Sequence, residues 1–325
     1  MSLSAAEYRE HLETTAVRAG FEFADVVLPE SREFHVGRMR FHYLDWGNKH
    51  LPTIVFLHGG ALNAHTWDLC CLALRDSYHC VALDQRGHGD TDWAHDSDYS
   101  IGASLADTKG FVDHLGLDKF ILAGMSLGAI NSLAFAIAHP ERLSHLVIID
   151  AGPEMRRPGS SRIRDFVKEV QETVTVEAII EKALKFNPRR DPKILRRSLM
   201  HALRQQPDGT WRWKYDAARF QKLDQEAHRA ERAKLADGLQ RIACPTMVVR
   251  GGDSDVFNEE DGMRLAERLP NGRFVTVPRA GHTVQGDNPK DLVAELRRFL
   301  AGRQLGRLVG RRSREQTSDR GAIAQ

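Results

Sequence analysis

The stretch "KFILAGMSLGAINSLAFAIAHP", residues 119–140, passes from a short apolar run into a helical segment rich in small residues. Ser126 stands at the changeover, one residue from Gly124's neighbour Met125 and flanked at a distance of two by Gly124 and Gly128. A strand that turns directly into a helix lifts the side chain on the turn out of the sheet. Glycines beside it are required where side chains would strike the adjoining strand and helix. The helix also aims its N-terminus at that side chain, which favours negative charge developing there. Ser126 is therefore a candidate nucleophile, and a serine hydroxyl in that role needs a base and an acid to orient the base.

The rest of the chain supplies the frame. Six short apolar runs, at 53–58, 80–84, 119–124, 145–150, 246–251 and 273–278, are mostly continuous rather than alternating, as expected of strands buried on both faces of a parallel sheet. Helical stretches at 66–76, 103–115, 127–138, 259–268 and 289–301 separate them, and the alternation predicts an α/β fold. Upstream, "REFHVGRMRFHYLDWG" alternates polar and apolar residues around a glycine, predicting an antiparallel edge hairpin. Between about Gly152 and Arg241 no buried strand is evident, while "VEAIIEKALKF" and "DPKILRRSLMHALRQ" have helical periodicity. An insertion of that length folds as a layer of its own. Within it, "PDGTWRWKYD" places Trp211, Trp213 and Tyr215 on one side of an extended segment, either as the insertion's core or as a wall of a substrate pocket.

Partners for Ser126 lie where the pattern requires them. His282, in "PRAGHTV", follows the strand 273–278 and precedes the last helix. Asp253 and Asp255, in "MVVRGGDSDVF", follow the strand 246–251. Serine, aspartate and histidine in that order, each at the C-terminal end of a strand, form the arrangement of a Ser-His-Asp hydrolase.

With these residues in view, the chain resembles an α/β-hydrolase fold serine hydrolase with a helical cap, over roughly residues 30–302. The likeness rests on "FLHGG" (56–60), "DQRGHGD" (84–90), "GMSLGA" (124–129), "RGGDSD" (250–255) and "AGH" (280–282). It implies a mostly parallel eight-stranded sheet flanked by helices, with the cap inserted in the C-terminal half. It also implies Asp255 as the catalytic acid with Asp253 in reserve, and an oxyanion hole from the backbone N–H groups of Gly60 and Leu127. His58 and His88 then shape turns, whereas Asn63, His65 and Trp213 are candidates for substrate contact. Asp90 stands where the family commonly has Ser or Thr, and Ala129 where it often has Gly. The implied reaction is acyl transfer on a small carboxylic ester or lactone. Ring-cleavage C–C hydrolysis and perhydrolysis use the same triad, and a ligand-binding relative could retain it. Epoxide hydrolases and haloalkane dehalogenases carry aspartate at the elbow, so Ser126 argues against both.

Composition sets the outer bounds. The 325 residues are 42% hydrophobic and 28% charged, an ordinary globular profile. No apolar run reaches the roughly 20 residues that span a bilayer, and the N-terminus lacks a signal-peptide core. Cys70, Cys71, Cys80 and Cys244 have no metal-binding or disulfide spacing, which predicts free thiols in a reducing cytoplasm. Of the net charge of +2, residues 303–325 carry +4 and the body −2, which predicts a solvated basic tail and neither a nucleic-acid nor a membrane partner. The expected units are an N-terminal extension (1–30), a core in two parts (31–152 and 242–302), a cap (153–241) and the tail (303–325). No cofactor or metal is implied, and the expected partner is a small-molecule substrate.

Overall fold

In the computed structural model, residues 3–154, 165, 169–170, 175–186, 191–218 and 225–302 are described. The basic tail of the sequence reading lies outside them. An eight-stranded sheet runs through the molecule in the order β1-β2-β4-β3-β5-β6-β9-β10. β1 (Glu30–Val36) and β2 (Met39–Asp45) form the antiparallel hairpin, turned at Gly37 with φ 58°. β2 joins antiparallel to β4 (His79–Leu83), and from there β3 (Thr53–Leu57), β5 (Phe120–Met125), β6 (Leu143–Ile149), β9 (Thr246–Gly251) and β10 (Gly272–Val277) run parallel.

Alternate residues of each central strand feed two separate cores, which is why these runs read as continuously apolar. On one face Val55, Leu57, Leu122, Leu146 and Val248 pack with residues of α3 (Ile101–His114), α4 (Leu127–Ala138) and α8 (Glu259–Arg268). On the other, Ile54, Phe56, Ala123, Val147 and Val249 meet α1 (Ala5–Arg18), α2 (Asp68–Leu74) and α10 (Pro289–Leu300). The helical stretch read at 66–76 is two pieces, because Asn63 caps a 3₁₀ turn over Ala64–Trp67 before α2 begins.

Between β6 and β9 lie α5 (Val176–Phe186), α6 (Pro192–Ala202), the short hairpin of β7 (Leu203–Gln205) and β8 (Trp211–Trp213), and α7 (Gln225–Gly238). Val176, Ile179, Leu195, Leu199 and Leu203 form a small core here, and Trp211 and Trp213 pack against it. The hairpin is anchored to the loop after β4. Lys214 pairs with Asp90 at 2.7 Å, Trp93 Nε1 donates to the Lys214 carbonyl, and Tyr99 donates to Asp216.

The N-terminal helix bridges this insertion to the core. Ser4 and Glu7 close a capping box at its start. Tyr8 donates to Asp68 at 2.7 Å and meets the rings of His65 and His201 edge-on, while those two rings stack 3.7 Å apart. Arg197 and Asp191 of the insertion pair with Glu10 and Arg18 of the helix.

Burial, reinforced by neighbouring histidines, pushes His201 well below the ordinary 6.5, and burial also lowers His11. His201 is neutral in the fold and His11 is harder to protonate there than when unfolded, so below pH 6.5 the unfolded chain takes up more protons than the folded one. Their stability contribution is full above that pH and falls as pH drops, each by up to about 1.4 kcal/mol per unit. His42 shifts the other way: burial opposes its charge, but the hydrogen bond to Asp84 raises it, so below 6.5 its contribution is constant. Urea midpoints should therefore fall between pH 6.5 and 5.5, and His201→Phe should flatten that slope. An unchanged slope in the variant would remove His201 from the account.

Candidate active site

The strand-to-helix turn is set by close backbone approach. A Cβ on Gly128 would lie 2.2 Å from the Leu57 carbonyl oxygen, and one on Gly124 equally close to that of Gly128. Ser126 therefore turns with φ 54° and ψ −111°, a strained conformation for a residue with a side chain. Its N–H donates to the Ile149 carbonyl at 2.9 Å, fastening the turn to β6. Ser126 and Leu127 are half-buried in an otherwise buried stretch, so the hydroxyl is where the sheet edge opens.

His282 reaches this point from beyond β10. Its loop folds back because Gly251, at the end of β9, leaves space for the backbone: a Cβ there would sit 2.1 Å from the Gly281 carbonyl oxygen. Gly281 N–H is held by Asp287 at 2.9 Å. Ser126 Oγ lies 3.0 Å from His282 Nε2, and His282 Nδ1 lies 2.8 Å from Oδ2 of Asp150. With Nδ1 donating to the carboxylate, Nε2 is the acceptor for the serine hydroxyl.

The acid on the imidazole is thus Asp150, which corrects the expectation of Asp255, and Asp253 does not take the place either. The reason lies in the turn that follows β9, closed by the Ser254 N–H on the Gly251 carbonyl at 2.9 Å. Along Asp253-Ser254-Asp255 the two carboxylates face solvent and Ser254 turns inward. Asp150 ends β6, the strand beside β5, and is fully buried. Its φ is 53°; its N–H donates to the Val249 carbonyl, and its carboxylate accepts from Gly251 N–H at 2.8 Å and from Ser254 Oγ at 2.5 Å. The signal in the sequence was an aspartate closing the buried run "HLVIID", placed as Ser126 is placed relative to β5.

The loop after β3 leans on the turn. A Cβ on Gly59 would meet Met125 Sδ at 2.6 Å and the Ser126 Cβ at 3.4 Å, and Gly60 follows. At the start of α4 the Gly128 N–H is taken by the His58 carbonyl at 3.1 Å, and Leu127 N–H precedes it in the first turn. His58 donates from Nδ1 to the Gly59 carbonyl and accepts Gln85 N–H at Nε2, a turn-shaping part. Below, the buried Asp84 joins two loops, accepting from Ala64 N–H, Asp90 N–H and His42. Asn63 caps the following 3₁₀ turn through His65 N–H. Trp213 donates to the Val170 carbonyl and packs in the insertion's core.

Among the described residues, His42, Asp84 and Asp90 have the spacing of a cation site. Their charges are already matched: His42 pairs with Asp84 at 2.7 Å, and Asp90 pairs with Lys214 and, at 3.5 Å, with Arg204.

Comparison with known proteins accords with this fold. Residues 52–289 match the family model described as the alpha/beta hydrolase fold. The chain is 30% identical over 284 residues to Esterase Rv0045c of Mycobacterium tuberculosis, covering 84% of this chain and 90% of that protein. The crystal structure of that esterase superposes with a TM-score of 0.72 at 29% identity, over 92% of this chain and 99% of that one. The mouse sn-1-specific diacylglycerol lipase ABHD11 is 26% identical over 81% of this chain and 85% of its own length. Likeness in fold extends to E-2-(acetamidomethylene)succinate hydrolase, with a TM-score of 0.72 at 23% identity, over 84% of this chain and 99% of that one. With the sheet, the serine turn and the family match in agreement, the chain belongs to the α/β-hydrolase family.

Proposed function

We propose that this hydrolase cleaves small carboxylic esters or lactones through a covalent serine ester. The observation that carries the reading is the continuous relay from Ser126 through His282 to Asp150, at 3.0 and 2.8 Å. Ser126 Oγ attacks the carbonyl carbon while His282 Nε2 takes its proton. The imidazolium so formed is stabilised by Asp150, which also fixes the ring's tautomer. The oxyanion is received by the N–H groups of Leu127 and Gly60, with the N-terminus of α4 adding its dipole. The proton then passes from Nε2 to the departing alkoxide, and water attacks the acyl-enzyme by the same route. An ester rather than a carbon–carbon bond is favoured by the 30% identity to an esterase along most of both chains. The insertion, residues 153–241, is proposed as the cap that walls the substrate pocket, and the cytoplasm as the compartment, in keeping with four free thiols.

A fluorophosphonate probe should add its mass to the wild-type protein and not to Ser126→Ala, which should fold normally because the turn accepts a smaller side chain. Labelling of the variant would refute the nucleophile. On a p-nitrophenyl ester panel, Asp150→Asn should lower kcat by about 10³- to 10⁴-fold, whereas Asp255→Asn should leave it near wild type. The reverse ranking would return the acid to β9. Turnover of a vinylogous 1,5-diketone with no turnover of any ester would move the assignment to C–C hydrolysis.

A further inference from the structure

Asp150 does not meet His282 alone. Its Oδ2 accepts two hydrogen bonds, from His282 Nδ1 at 2.8 Å and from the Ser254 hydroxyl at 2.5 Å, while Oδ1 accepts Gly251 N–H. Ser254 is 8% exposed, and its oxygen faces the N–H groups of Val256 and Phe257 at 3.3 and 3.4 Å. With its acceptor side occupied by those donors, its proton is directed at Asp150.

We infer that Ser254 is a positioning residue for the reaction, holding the Asp150 carboxylate in one rotamer and sharing the charge that faces the imidazole. The inference rests on the Ser126–His282–Asp150 relay proposed above. Two physical effects follow. The carboxylate is pinned at both oxygens, so the line from Oδ2 to Nδ1 is kept through turnover. A hydroxyl on the same oxygen as the imidazole also takes a share of the carboxylate charge that faces Nδ1. The segment "RGGDSD" thus serves the site with its serine, while the acid itself comes from the end of the neighbouring strand.

The test is the pH dependence of ester hydrolysis by the full chain. Activity needs neutral His282, so kcat/KM rises with pH through the histidine's pKa. Ser254→Ala should concentrate the carboxylate charge on the imidazole and move that limb to higher pH by about half a unit or more. It should also lower kcat roughly 10-fold with little change in KM. Ser254→Thr, which keeps the hydroxyl, should restore the limb to its wild-type position. Ser254→Cys, a weak donor of similar size, should move it in the same direction as alanine and serves if the alanine variant does not fold. A limb that stays in place in folded Ala and Cys variants, with only melting temperature lowered, would make Ser254 a structural filler and overturn the inference. Asp150→Asn separates the two levels. If that variant retains activity the relay itself is wrong, and if it is inactive while the Ser254 limb is unmoved, only the role of Ser254 fails.

Discussion

The constraint on which the site depends is steric: α4 lies so close to the end of β3 that nothing larger than a hydrogen fits between Gly128 and the Leu57 carbonyl. That contact forces the chain through a positive φ at Ser126 and leaves its hydroxyl where the helix dipole and the loop after β3 converge. Gly251 does the same for the histidine, by letting two backbones close to a distance no side chain tolerates. Strain at Ser126 and at Asp150, both with positive φ, is held by the buried strands on either side.

Most of this was legible in the sequence because the physics that positions the site is local. The continuous apolar runs marked strands covered on both faces, and α4 and α8 have the bounds their periodicity indicated. Ser126 and His282, whose side chains meet at 3.0 Å, are singled out in the sequence by glycines and strand endings. The acid was misplaced for a reason equally physical. Which of several aspartates at the sheet's C-terminal edge faces the imidazole depends on side-chain direction along the chain, and the turn through Asp253-Ser254-Asp255 points both carboxylates outward. Trp213 shows the same ambiguity. An aromatic row in an extended segment reads alike whether it lines a pocket or packs a core, and here Trp211 and Trp213 pack against the insertion's apolar cluster.

The N-terminal helix was not legible as a bridge, because its contacts are made with residues far along the chain. Tyr8, His65 and His201 come from three distant segments, and no pattern within 1–30 announces the other two. Asp90 belongs to the same class. In the sequence it stands out only as a departure from the family's Ser or Thr, whereas in the structure it supplies the counter-charge for Lys214 of the insertion.

These moorings bear on the order in which the molecule is assembled. The contacts that fasten the insertion include Arg197 to Glu10 across 187 positions and Lys214 to Asp90 across 124. Both anchor points are synthesised well before the segments that dock on them. The insertion therefore emerges after its supports have left the ribosome, and closing such long loops costs only slightly more entropy than closing short ones. The strands β9 and β10, which lead to Ser254 and His282, are the last strands made. The serine turn is thus complete, and its surroundings built, before the histidine that meets its hydroxyl exists.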